Sequence, residues 1–119
     1  MIHIEDFSKM LTWESEILQR QTGGLTQEES LLQPQPGGNC LNWVVGHLVV
    51  NLTIILEILE ERIPEDIPDL SRYKMDSDPI RGEEEGVLLL SELIKTYSLL
   101  NNKIVNRLDV MSEETFEEE

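Results

Sequence analysis

The chain has 119 residues, a single cysteine and a formal charge of −15, from 24 acidic and 9 basic side chains. That length suits one domain around one core, residues 1–119. A surface so acidic repels phosphate backbones and anionic bilayers, which argues against a nucleic-acid or membrane partner. The lone Cys40 excludes an internal disulfide framework and agrees with a reducing compartment. The start, MIHIEDFSKM, has acidic residues where an export signal carries positive charge, so the expected location is cytoplasmic.

Aromatics are only 5% of the chain, so the core must be aliphatic. The first helix is expected from about Glu5 to Gln21, where Ile4, Phe7, Leu11 and Leu18 recur at helical spacing and Met10, Trp13 and Ile17 widen the stripe. Gly23-Gly24 closes it. Thr26 and Glu29 have the spacing of a capping box and predict one or two further turns through Leu32. Pro34, Pro36, Gly37 and Gly38 then turn the chain, and Asn39 is the expected N-cap of a second long helix.

That second helix, running from about Cys40 to Leu59, is apolar on nearly every face and is expected to be the most buried element. Its length approaches that of a membrane span, but Asn42, His47, Asn51, Thr53 and Glu57 interrupt the run and favour a bundle helix. Pro64 and Pro68 mark its end, and residues 64–82 read as an irregular acidic connection. A third long helix is expected from about Glu84 to Leu108, with Leu93, Tyr97, Leu100, Ile104 and Leu108 on one stripe and Glu83, Glu84 and Glu85 at its N-terminus. Met111 to Glu114 reads as the start of another helix, and Glu117 to Glu119 as a solvated tail. No strand pattern is present in the sequence, and the expected class is all-α.

Taken in order, these features resemble the DinB-like family of four-helix bundles, which includes bacillithiol transferase-type enzymes. The resemblance rests on LTQEESLLQPQPGGNCLNWVVGHL, above all on Pro36-Gly37-Gly38-Asn39 followed by Trp43 and Gly46-His47, then on the long Pro-bearing connection and the closing LDVMSEE. It implies an up-down helical bundle, and here three long helices with the fourth missing, as in a C-terminally truncated member. It also implies a divalent metal, zinc or nickel, held by three histidines in thiol transferases or hydrolases. His47 matches the ligand of the second helix, whereas the pair from the fourth helix has no counterpart, and His3 matches no ligand position.

Several single residues stay open on sequence alone. His47 is either a metal ligand or a histidine bonded to a backbone carbonyl or an Asn. Cys40 is either a reactive thiol at a helix start or a small buried residue. Trp43, one turn before His47, packs against it or stacks a substrate, and Gly46 allows a close approach by another helix. A bundle lacking one helix exposes an apolar groove, to be filled by a second copy in a homodimer or by a partner helix. Two readings follow: a relative of metal-dependent transferases with an incomplete site, or a non-enzymatic helical module that associates through its groove.

Overall fold

The computed structural model describes residues 3–34 and 38–118, with side chains described as far as Met111. Pro36 and Gly37 of the expected turn, and the side chains of the terminal glutamates, lie outside the described residues. The order is α1 (Ile4–Thr22), α2 (Gln27–Ser30), α3 (Leu41–Ile58), a 3-10 turn η1 (Ser71–Tyr73) and α4 (Leu90–Glu118). All elements among the described residues are helical, so the all-α class holds.

α1 buries or half-buries Ile4, Phe7, Leu11, Ile17 and Leu18 of its expected stripe, but Met10 and Trp13, expected to widen it, are 45% and 62% exposed, because they turn away from the face that meets its neighbour. His3 is its N-cap, with its backbone N–H donating to the Asp6 carboxylate at 3.4 Å, and Gly23 ends the helix by donating its N–H to the Gln19 carbonyl. The left-handed residue is the next glycine, Gly24, at φ 83°. The capping box of α2 is closed on both sides: Glu29 N–H donates to Thr26 Oγ1 at 3.1 Å, and Thr26 N–H to Glu29 Oε1 at 3.0 Å. α2 is nevertheless a single turn.

α4 is the central element, about 43 Å long at ~1.5 Å per residue. α1 packs along one side of it and α3 along another, and no Cα of α1 lies within 8 Å of any Cα of α3. The predicted stripe Leu93, Tyr97, Leu100, Ile104 and Leu108 is buried there. Polar contacts fix the directions. Ser8 meets Asp109 and Gln19 meets Ser98, so α1 runs antiparallel to α4. Asn42 meets Leu88 at the start of α3, and Glu61 meets Lys103 and Arg107 just past its end, so α3 runs parallel to α4. The expected strict up-down alternation is therefore corrected to up-down-down. The cause is the long connection, which carries the chain back along the bundle before α4 begins.

Four further expectations need correction. α3 begins at Leu41 with Cys40 as N-cap, while Asn39 is exposed and makes no cap. α3 ends well before Pro64, in a Schellman motif: Glu60 adopts φ 59°, Glu60 N–H donates to Glu57 O at 3.0 Å and Glu61 N–H to Leu56 O at 2.9 Å. α4 begins at Leu90, because Gly86 takes φ 87° and the Leu88 N–H is drawn to a side chain outside the helix. α4 then continues without a break to Glu118, so residues 111–114 extend it and do not open another helix.

A fifth correction concerns burial. Val45, Val49, Leu52 and Leu56 are buried, but α3 is not buried all round. Val44 is 39% exposed, Leu48 37%, Ile54 47% and Ile58 74%. At ~100° per residue these four fall on one outward arc, roughly 120° wide, facing away from the buried side. α3 is the one helix among the described residues long and apolar enough to cross a membrane by length and composition.

Candidate functional site

The connection between α3 and α4 organises the surroundings of His47. Tyr73, in η1, is fully buried and lies flat against α3 at Gly46. A Cβ at residue 46 would fall inside the Tyr73 ring, so Gly46 is required for close approach. The approach is that of an aromatic ring from a 3-10 turn, not of another helix as the sequence suggested. Ile80, also fully buried, is the second anchor of the connection.

A closed polar network holds Tyr73 in place. Its hydroxyl donates to Asn42 Oδ1 at 2.6 Å and accepts the Leu88 N–H at 2.8 Å. Asn42 Nδ2 donates to Leu88 O at 2.9 Å and to Ser30 Oγ at 3.5 Å. Gln27 adds two bonds, Nε2 to Leu88 O at 3.1 Å and Oε1 from the Leu90 N–H at 2.6 Å. One clasp thus joins α2, α3, η1 and the start of α4. Burial pushes the Tyr73 phenol above its ordinary range, so the hydroxyl stays protonated and able to donate. Arg72 locks the rest of the turn, donating to the carbonyls of Asp78 and Pro79 and pairing with Glu84 at 3.0 Å. That pairing holds the Glu84 carboxyl below its usual range.

His47 is half-buried against this turn. Its Nδ1 lies 2.9 Å from the Tyr73 carbonyl oxygen. A carbonyl only accepts, so Nδ1 carries a proton, and a neutral ring in this place has its lone pair on Nε2. Trp43 stacks on the imidazole, with ring centroids 4.6 Å apart and planes 11° apart, and its Nε1 donates to Ser77 Oγ at 3.0 Å. The ring is therefore fixed in tautomer and in orientation by two neighbours.

The donor set around it is thin. Among the described residues no three His, Cys, Asp or Glu side chains come together to hold a metal ion. His3 caps α1, which does not approach α3. Asn51 and Glu57 are exposed on α3, and Cys40 is buried, a poor position for a nucleophile. One imidazole binds a divalent ion weakly, and catalytic sites take about three protein ligands. The described residues of one copy of this chain do not by themselves fit a resident zinc or nickel.

Elsewhere, a cleft of about 460 Å³ opens between the connection and α4, lined by Asp66, Ile67, Pro68, Glu92, Lys95 and Leu99 among others. None of the candidate site residues His47, Cys40 and Trp43 lines it. Sequence reasoning also missed Tyr73, Asn42 and Gln27; the available signal was a buriable Tyr in an otherwise acidic connection and an Asn inside an apolar helix. No family model, curated protein or solved structure matches this chain.

Proposed function

We propose that this chain is a DinB-like helical module that works by association, taking a further helix onto the outward face of α3. The observation that supports it is the arc of exposed Val44, Leu48, Ile54 and Ile58, an uncharged and mainly apolar surface with Asn51 at its centre, on the side of α3 opposite its buried residues. Exposed apolar patches rimmed by polar residues are often interaction sites. An amphipathic helix laid along it meets two pairs of anchors, Val44 with Leu48 and Ile54 with Ile58, each pair one turn apart, the kind of spacing that helix-in-groove recognition uses. The test is photo-crosslinking from a reactive side chain installed at residue 48 or 54. Amphipathic helices should be captured there and not from residue 28 on α2. Equal capture from both positions, or none from α3, would defeat the proposal.

The second reading, descent from metal-dependent thiol transferases or hydrolases, is favoured by the fixed Nδ1–H of His47, the arrangement that orients a ligating imidazole. In this reading the missing donors come from whatever docks beside His47. Zinc and nickel content per chain, in untagged protein and its His47→Ala variant, decides it. Metal present in the first and absent from the second supports a ligand role, and none in either removes it.

A further inference from the structure

The outward face of α3 is apolar, but its surroundings are not neutral. Among Leu41–Ile58 the one charged side chain is Glu57, so the arc itself carries no charge. At the C-terminal end stand the exposed Glu57 and Glu60, together with the negative end of the α3 dipole. Beside the N-terminal half, Asp76 and Asp78 are exposed on either side of Ser77, the residue that holds Trp43. Cations stand near some of these acids: Arg72 and Arg81 line one surface depression with Asp78, while Arg62 pairs with Glu65 at 2.8 Å, and Lys103 and Arg107 pair with Glu61. An uncharged, mainly apolar strip, broken at its centre by Asn51, lies between Asp76 and the pair Glu57 and Glu60 on a body of net charge −15.

Building on the docking reading above, we infer that the occupant of the α3 face is a cationic amphipathic helix of a partner protein. Its apolar stripe would lie along Val44, Leu48, Ile54 and Ile58, and its flanking Lys or Arg side chains would meet Glu57, Glu60 and Asp76. A second copy is a poorer occupant for two reasons. Two bodies of −15 repel each other over the ~8–10 Å reach of electrostatics at ordinary salt. The face is also small: about 27 Å long and ~10 Å wide, it offers about 270 Å², against about 800 Å² per partner in a standard interface. A short helix suits that footprint, and opposite charge adds the steering and selectivity that area alone does not supply.

The experiment titrates the full chain with three synthetic 18-residue peptides: a Leu/Lys helix with an i, i+3, i+4 apolar stripe, the same pattern with Glu for Lys, and a scrambled Leu/Lys sequence without a stripe. Affinities are read by fluorescence anisotropy at low and high salt, for the wild type and for Leu48→Gln/Ile58→Gln, whose positions are exposed and whose fold is checked by circular dichroism. The striped Leu/Lys peptide should bind at least about tenfold tighter than the Glu version. It should weaken with salt and lose about tenfold on the double variant. Equal binding of the Glu peptide at the α3 face overturns the cationic partner and leaves the docking reading intact. So does a wild-type dimer that the double variant abolishes, or binding of zwitterionic vesicles that the double variant abolishes. Equal binding of the scrambled peptide, an unaffected double variant, or no association of any kind overturns both.

Discussion

Replacing Tyr73 with Phe removes one oxygen from the centre of the molecule and leaves the ring against Gly46 unchanged. In the native chain that oxygen donates to Asn42 Oδ1 at 2.6 Å and accepts from the Leu88 N–H at 2.8 Å. Asn42 and Tyr73 are both fully buried, so water does not readily take its place. Stranding a buried polar group costs about 1–3 kcal/mol, and two are stranded here, one of them close to the surface at Leu88. The expected destabilisation is about 2–4 kcal/mol. For a chain of this length that lowers Tm by roughly 6–20 °C. The assay is thermal and urea unfolding of the wild type, Tyr73→Phe, Asn42→Ala and the double variant. The double variant should lose clearly less than the sum of the singles, because they break the same network. A Tm change below about 2 °C, or strict additivity, would refute the clasp as the element that fixes the connection and, through the Tyr73 carbonyl, His47.

Gly46→Ala places a Cβ inside the Tyr73 ring and should cost about 1–3 kcal/mol or more in urea unfolding; an unchanged midpoint would show that the ring can retreat freely. Glu60→Gly removes an L-residue from φ 59° in the α3 Schellman motif and should stabilise the fold by up to about 1 kcal/mol, with a lowered Tm as the contrary result. Burial raises the phenols of Tyr73 and Tyr97, the latter helped by the Glu14 charge, so the folded state favours their protonated forms. Stability is therefore undiminished by these groups below about pH 10, the unfolded value, and is lost as pH rises through their folded-state values. Urea midpoints should show no loss from these groups between pH 8 and about 10 and should fall above it, less steeply in Tyr73→Phe; parallel slopes above pH 10 would contradict the assignment.

Local periodicity carried most of the architecture. The α1 stripe, the Thr26–Glu29 capping box and the Leu93–Leu108 stripe were legible because each depends on neighbours within a turn or two. What was not legible depends on distant contacts. The run Glu83–Leu90 is compatible with a helix until the Tyr73 hydroxyl takes the Leu88 N–H and Gly86 turns the chain. α3 stops on Glu60, a residue that carries no stop signal, so Pro64 drew attention to the wrong place. An apolar helix reads as buried all round, since periodicity does not distinguish a packed face from one awaiting a partner. For His47 the sequence left open a backbone-carbonyl partner; that the carbonyl belongs to Tyr73 depends on how a long acidic connection folds back across Gly46.

The central claim is that the outward face of α3 is a docking surface. It is tested most directly by amide chemical-shift mapping of the labelled chain titrated with an amphipathic cationic helix. The account predicts perturbations concentrated at Val44, Leu48, Ile54 and Ile58 and their immediate neighbours, saturating together, with α1 largely silent. Shifts confined to α1 or to the cleft at Asp66 and Lys95, or no saturable shifts at all, would contradict it.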